Sequence, residues 1–271
     1  MVQKKFFVPN LFTGLNFLLG IYSILLMAEA FAPMGSGNSV LGSSKPPIIL
    51  AAWFTILCVL FDKLDGFAAK LLNASSGFGA QFDSLADLVA FGVAPGFLVY
   101  FYMQWVDAKW FLAHRPLMIA SVSVYMLCAA LRLARFNSVD LGELKGFFHG
   151  LASTFAGGFV SLSVILHWKY DLFHRWPESF ALIPLLLIFV GLLMVSPFYL
   201  PKLIKRKNRF RNAFQMLNIF IGYLCGFGLV FPEILFGQCL LYLVIGFTYG
   251  LLQKDSIEAS LEAARSETNA N

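Results

Sequence analysis

Residues 47–65 decide the fold class, and they read Pro-Ile-Ile-Leu-Ala-Ala-Trp-Phe-Thr-Ile-Leu-Cys-Val-Leu-Phe-Asp-Lys-Leu-Asp. The run is apolar as far as Phe61 and approaches the roughly 20 residues that cross a hydrocarbon core. Its helix is expected to continue past the membrane surface and to carry polar chemistry there. Of the 271 residues in the chain, 59% are hydrophobic and only 13% are charged, whereas about a quarter of a soluble domain is charged. The sequence therefore predicts an integral membrane protein.

Apolar runs recur along the whole chain, at residues 10–32, 47–72, 84–106, 115–136, 148–168, 179–198, 212–231 and 233–252. Because only helices satisfy every backbone group inside lipid, these runs predict an all-α bundle of about eight transmembrane helices. Residues 2–8 are expected to form a short interfacial helix that lies on the membrane. We expect one transmembrane domain over residues 1–253 and a polar cytoplasmic tail over residues 254–271.

The distribution of Lys and Arg predicts the orientation of these helices. If the N-terminus is inside, the inside segments carry most of the Lys and Arg residues, and the basic stretch 202–211 is among them. Because cytoplasmic loops carry the excess of positive charge, both termini are predicted to lie in the cytoplasm. The net charge of +5 indicates contact with anionic lipid rather than with nucleic acid.

Four aspartates stand where the second run ends and the third begins: Asp62, Asp65, Asp83 and Asp87. The first two are three residues apart and the last two are four apart, so each pair shares one face of a helix. A short connection between the helices lets the two pairs converge, and converging carboxylates repel one another unless cations bind. Oxygen ligands select Mg²⁺, Mn²⁺ or Ca²⁺. Solvated helix caps are the alternative, but they explain a single aspartate better than two spaced pairs.

Glycines surround the two pairs, at Gly66, Gly77 and Gly79. Without side chains at these positions a bulky ligand can approach the backbone closely. Since Mg²⁺ usually keeps coordination positions for substrate phosphate, the stretch indicates metal-assisted handling of a phosphate or diphosphate.

The same residues form one long, gapped pattern, made up of Asp62, Asp65, Gly66, Ala69, Lys70, Gly79, Asp83 and Asp87. This pattern resembles that of the CDP-alcohol phosphatidyltransferase family, and every spacing fits. The family usually has Arg where this chain has Lys70, which keeps the charge but loses the planar fork for bidentate phosphate contact.

Residues 83–95 and 131–137 further resemble the phosphatidylserine synthase branch of that family. Residues 148–151 resemble the start of its next helix, although residues 152–155, Ala-Ser-Thr-Phe, depart from its usual Pro-Ser-Pro-Ala. The resemblance covers residues 5–160 and implies an enzyme, a CDP-diacylglycerol–serine O-phosphatidyltransferase. CDP-diacylglycerol would bind through metal ions, L-serine would attack the phosphorus attached to the lipid, and CMP would leave.

With this resemblance come roles for individual residues. The four aspartates are expected to hold Mg²⁺ or Mn²⁺, with Ca²⁺ as an alternative. Asp87 is also the candidate general base for the serine hydroxyl, because a carboxylate among other carboxylates accepts a proton more readily. The expected nucleotide and diphosphate ligands are Asn10, Thr13, Gly66, Lys70 and Gly79. For Asn10 and Thr13 interhelical hydrogen bonding is the alternative, and for Asn16 it is the expectation.

Arg132 and Arg135 are expected to bind the serine carboxylate or a lipid phosphate through charge-assisted hydrogen bonds. Their alternative role is to anchor a helix end at the membrane surface by snorkelling. The resemblance also implies a homodimer in a bacterial inner membrane. The bias of Lys and Arg predicts that the active site, with its four aspartates, faces the cytoplasm.

Two alternative functions stay open at this stage. The same transfer chemistry with another acceptor or lipid would make an archaetidylserine, phosphatidylcholine or phosphatidylinositol-type synthase. A cation transporter that uses the aspartates as an ion path is less favoured, because transporter sites usually lie near the bilayer midplane.

Overall fold

A computed structural model describes residues 7–31, 45–71, 77–138, 147–201 and 209–253 of the chain. Almost all of these residues are helical. In chain order the elements are α1 (Phe7–Glu29), α2 (Pro47–Leu71), α3 (Gly77–Asp87), a π-helical segment (Leu88–Val93), α4 (Ala94–Val106), α5 (Ala108–Ala113), α6 (Arg115–Ser138), β1 (Phe147–His149), α7 (Ser153–Lys169), α8 (Leu172–Arg175), α9 (Glu178–Val195), β2 (Tyr199–Pro201), α10 (Arg209–Gly228) and α11 (Pro232–Leu252).

The predicted all-α membrane architecture is confirmed. Within the described ranges, six helical stretches are long and apolar enough to cross a membrane: Asn10–Glu29, Pro47–Leu64, Gly77–Val106, Arg115–Asn137, Glu178–Val195 and Pro232–Leu252. The other two predicted runs are also helical, as α7 and α10, but α7 has only 17 residues and the apolar part of α10 is the short stretch Gln215–Gly228. A total of eight crossings stays a prediction.

Both ends of the chain lie largely outside the described residues. Of the predicted interfacial helix 2–8, only residues 7 and 8 are described, and they begin α1 instead. The polar tail 254–271 is not described.

The core forms where α1, α2, α4, α6, α7 and α9 pack together. The first turns of α2 supply many of its members, because Ile48, Ile49, Ala51 and Ala52 are fully buried. In contrast, α10 and α11 expose many large apolar side chains, among them Phe220. Such surfaces suit contact with lipid tails, and they agree with the membrane class that the composition predicts.

Helix α3 continues into α4 through the π-helical segment, so residues 77–106 form one continuous helical stretch. In an α-helix the Phe91 carbonyl would accept a hydrogen bond from the backbone N–H of residue 95, but Pro95 has none. Instead, the buried Tyr125 hydroxyl on α6 donates to the Phe91 carbonyl oxygen at 2.8 Å. This bond ties α6 to the chain one turn beyond Asp87.

A small two-stranded sheet precedes α7. The strands β1 and β2 pair antiparallel, with Phe148 opposite Leu200. Gly150 follows β1 with φ of +66°, and a Cβ there would lie 2.4 Å from the Met194 carbonyl oxygen, so only glycine fits. The prediction of a helix from residue 148 is therefore wrong at its start, because the backbone of residues 147–149 pairs with β2 and α7 begins at Ser153.

Candidate active site

Three of the four predicted aspartates meet at one end of the bundle. Carboxylate oxygens of Asp62, near the end of α2, and of Asp83 and Asp87, on α3, all lie within 4.8 Å of one another. The site is largely enclosed, since the side chain of Asp62 is 12% exposed and Asp87 is 8% exposed. The predicted convergence of the two helices is thus confirmed for these three residues.

The fourth aspartate, Asp65, and Lys70 both lie on α2, but their side chains are outside the described part of the structure. A cap role for Asp83 is excluded, because α3 begins at Gly77, more than one turn earlier.

The donor set fits a hard divalent cation. Oxygens that share one ion at about 2.4 Å, as on Ca²⁺, are at most about 4.8 Å apart, and on Mg²⁺ at about 2.1 Å they are at most about 4.2 Å apart. The three carboxylate oxygens, which lie within 4.8 Å of one another, are thus close enough for one ion to touch all three after a small inward adjustment, which is larger for Mg²⁺ than for Ca²⁺. Three carboxylates at such distances repel one another, and a cation between them would offset that repulsion.

Two polar side chains that were not predicted as site residues contact the carboxylates. Asn16 on α1 is fully buried, and its Nδ2 donates to Asp87 Oδ1 at 3.5 Å. Thr154 on α7 donates from Oγ1 to Asp62 Oδ2 at 3.3 Å. Asn16 follows Thr13 at helical spacing, so the polar residues of α1 already indicated that Asn16 shares a face with Thr13. For Thr154 the sequence contained no signal other than its departure from the usual motif.

A further contact of the cluster is an ion pair. Lys63 Nζ lies 3.3 Å from Asp62 Oδ2, but the lysine side chain is 60% exposed. An exposed pair of this kind is screened by solvent and contributes little. It offsets only part of the negative charge of the cluster.

The predicted nucleotide and diphosphate ligands stay predictions. On α1, Thr13 is buried and Asn10 is partly buried, and α1 packs against both α2 and α3. Gly66 borders open space, since a Cβ there would meet no atom within 4 Å. Gly79 is partly buried on the first turn of α3.

The two arginines of α6 have different surroundings. Arg132 is partly buried and close enough to Asp87 and Tyr242 to interact with them electrostatically. Its Nε is buried and has no hydrogen-bond partner among the described residues. Arg135 is exposed. The two arginines are three positions apart on α6, yet one is partly buried and interacts with Asp87 while the other is exposed.

A pair of hydrogen bonds holds the end of α6 against α3. Ser84 Oγ donates to Asn137 Oδ1 at 3.2 Å, and Asn137 Nδ2 lies 3.0 Å from Ser84 Oγ. Since Ser84 directly follows Asp83, this link holds the end of α6 next to the helix that carries two of the carboxylates.

The geometry agrees with the similarities of the chain to known proteins. A sequence model of the CDP-alcohol phosphatidyltransferase family matches residues 6–195. A CDP-diacylglycerol–serine O-phosphatidyltransferase of Helicobacter pylori strain 26695 is 31% identical over 231 residues, which cover 85% of this chain and 84% of that protein. A protein of the same name from Methanocaldococcus jannaschii is 32% identical over 245 residues, 90% of this chain and 94% of that protein.

Similarity extends to a eukaryotic relative over a shorter region. The CDP-diacylglycerol–serine O-phosphatidyltransferase of Saccharomyces cerevisiae is 37% identical over 137 residues, half of this chain. The family match spans the carboxylate cluster, the end of α6 and the start of α7, which are the elements that build the site. The chain belongs to the CDP-alcohol phosphatidyltransferase family.

Proposed function

We propose that this chain is a phosphatidylserine synthase, which transfers a phosphatidyl group from CDP-diacylglycerol to L-serine and releases CMP. The observation that carries the proposal is the cluster of Asp62, Asp83 and Asp87, whose oxygens lie within 4.8 Å of one another. Two relatives are named CDP-diacylglycerol–serine O-phosphatidyltransferase, and this chain aligns with 84% and 94% of their lengths.

In the reaction, the serine hydroxyl oxygen forms a bond to the phosphorus that bears diacylglycerol, and the bond from that phosphorus to the CMP oxygen breaks. Asp87 accepts the hydroxyl proton, and CMP leaves with the electron pair of the broken bond. Asn16 donates to Asp87 Oδ1 and thereby holds the carboxylate in one orientation for the transfer. Catalysis is then largely a matter of placing the two substrates next to each other.

A divalent cation held by the carboxylates would polarise the diphosphate and neutralise charge on the departing CMP. Asp62, Asp83 and Asp87 would hold it, and we assign Asp65 to the same set because of its place in the family pattern. We propose Mg²⁺ or Mn²⁺ as the physiological ion, because both bind oxygen ligands and phosphate together.

For the acceptor, Arg132 is the proposed ligand of the serine carboxylate. Its buried Nε has no hydrogen-bond partner within the described residues, and a guanidinium pairs with a carboxylate through two parallel hydrogen bonds. Arg135, which is exposed, suits a lipid phosphate at the membrane surface. The proposed ligands of the nucleotide and diphosphate are Asn10, Thr13, Gly66, Lys70 and Gly79.

We also propose that the site faces the cytoplasm at the membrane boundary. The continuous helix over residues 77–106 has 30 residues, and at 1.5 Å per residue it is about 45 Å long, about 15 Å longer than the hydrocarbon core. Its first third, which carries Asp83 and ends at Asp87, can therefore stand at the polar boundary. The bias of Lys and Arg supports cytoplasmic termini, eight crossings and a cytoplasmic tail after residue 253.

A bacterial inner membrane and a homodimer complete the proposal, since both follow from the family resemblance. Light scattering of the purified protein in detergent measures the oligomeric state. A particle mass of one chain plus detergent would refute the dimer.

The activity test uses the purified full-length chain in mixed micelles with CDP-diacylglycerol and Mn²⁺ or Mg²⁺. Separate reactions receive L-serine, inositol, glycerol 3-phosphate or choline, and both CMP and the lipid product are measured. We expect CMP release and phosphatidylserine with serine alone. If another acceptor reacts in place of serine, the proposed transfer chemistry stands but the proposed acceptor is wrong. If no acceptor leads to CMP release, the proposed function is refuted. Metal flux into liposomes without CMP release would instead support the transporter alternative.

A further inference from the structure

We propose that Thr154 is a positioning residue of the metal site, which orients the Asp62 carboxylate by donating a hydrogen bond to its Oδ2. The other oxygen, Oδ1, then remains to coordinate the cation. The inference rests on the proposed function, because it assumes that the carboxylate cluster holds a divalent ion. It adds a residue that the family pattern of aspartates and glycines does not contain.

The two contacts of Asp62 share one oxygen. Both Thr154 Oγ1 and Lys63 Nζ lie 3.3 Å from Oδ2. A cation avoids an oxygen that already faces an ammonium group, because like charges repel. Of the two donors, Lys63 is 60% exposed and Thr154 is 8% exposed. The threonine hydroxyl is therefore the donor with a fixed position.

Packing between α2 and α7 brings the two residues together. Val59 and Asp62 lie one turn apart on α2, and Thr154 and Gly158 lie one turn apart on α7, so these faces oppose each other in register. A Cβ at Gly158 would lie 3.3 Å from Val59 Cγ2, which shows how closely the helices approach. A side chain at residue 158 would therefore press on Val59, in the same interface that holds Thr154 against Asp62.

The start of α7 is itself held in place. The backbone N–H of Gly150 donates to the Phe198 carbonyl oxygen at 2.7 Å, and that of Leu151 donates to the Leu193 carbonyl oxygen at 3.0 Å. Thr154 is the second residue of the helix that follows. The Thr154 hydroxyl therefore lies close to a backbone segment that is hydrogen-bonded to the end of α9 and to the residue before β2.

Residue 154 is also a point at which this chain departs from the motif it resembles. Residues 152–155 read Ala-Ser-Thr-Phe, where the branch usually has Pro-Ser-Pro-Ala, so the threonine stands in place of a proline. Proline has no hydroxyl and cannot donate to Asp62. The contact is therefore a property of this chain rather than of the usual motif. Partners that orient a metal ligand commonly change metal affinity by about 10- to 100-fold when they are removed.

The test measures Mn²⁺ binding to the purified full-length protein in detergent, without substrates, by titration of the electron paramagnetic resonance signal of free Mn²⁺. Thr154→Val removes the hydroxyl and keeps the shape, and Thr154→Ser keeps the hydroxyl. Thr55→Val is the matched control, since Thr55 is a fully buried threonine of α2 whose hydroxyl faces the Ala51 carbonyl. We expect T154V to weaken Mn²⁺ binding about tenfold, and T154S and T55V to stay within about twofold of the wild type.

Mn²⁺ affinity of T154V equal to that of the wild type would overturn the role of Thr154 and leave the proposed function intact. An absence of Mn²⁺ binding by the wild type would overturn the metal site and this inference with it. If T154V does not fold, Thr154→Ala carries the same expectation, and its thermal unfolding without metal shows whether the protein is folded.

Discussion

Replacing Tyr125 by phenylalanine tests the account of the π-helical segment. The hydroxyl of this fully buried residue donates to the Phe91 carbonyl at 2.8 Å, and Pro95 cannot supply the N–H that an α-helix would use there. Tyr125→Phe therefore removes a hydrogen bond from a buried carbonyl without changing the packing of the ring.

The loss of unfolding free energy expected for Y125F depends on the surroundings of the Phe91 carbonyl. Loss of a donor to a buried acceptor costs about 1–3 kcal/mol, while hydrogen bonds between membrane helices average about 0.6 kcal/mol and reach about 1.7 kcal/mol. Because the helix offers no donor from residue 95, we place this bond near the upper part of the membrane range. We expect Y125F to lower the free energy of unfolding by about 1–1.7 kcal/mol.

Reversible unfolding in mixed micelles with increasing dodecyl sulfate measures this free energy. Tyr100→Phe is the matched control, since Tyr100 lies on the neighbouring α4 and is expected to lose no hydrogen bond. Combining Y125F with Pro95→Ala, which restores an N–H at residue 95, should reduce the cost of Y125F. A loss below about 0.3 kcal/mol, or an equal loss with proline and with alanine at residue 95, would refute the reasoning.

The other predictions concern the site and the opposite end of the bundle. Asp87→Asn should reduce CMP release by about 10²- to 10⁴-fold because it removes the proton acceptor, and thermal unfolding that stays at the wild-type midpoint would exclude misfolding as the cause. Chelation of divalent ions should abolish CMP release, and Mg²⁺ or Mn²⁺ should restore it; full activity in the chelator would contradict a metal site. Arg132→Lys should raise KM for serine more than KM for CDP-diacylglycerol, because lysine lacks the bidentate fork, and equal changes would count against a serine ligand. Glu233→Gln breaks the ion pair with Lys169 and should cost less than about 1 kcal/mol of unfolding free energy, without any change in CMP release.

The carboxylate cluster was largely predictable because its members are close in the chain. Asp62 to Asp87 span one helix end, a short connection and the next helix, so spacing alone indicates which side chains share a face. The apolar runs likewise predict helices, because lipid leaves the backbone no other way to satisfy its hydrogen bonds. The backbone of residues 147–149 instead forms hydrogen bonds with β2. The prediction that a helix begins at residue 148 was therefore wrong.

Contacts between distant helices were not predictable in this way. Thr154 reaches Asp62 across 92 positions of sequence, and Tyr125 reaches Phe91 across 34. Such contacts depend on how each helix is rotated about its own axis and where two helices cross, and packing in three dimensions sets both. Helix packing likewise leaves Arg132 partly buried within electrostatic reach of Asp87 and leaves Arg135 exposed, although both arginines have the same local sequence signal. Composition and spacing thus specify a membrane protein with a carboxylate site, while helix packing selects the residues that surround those carboxylates.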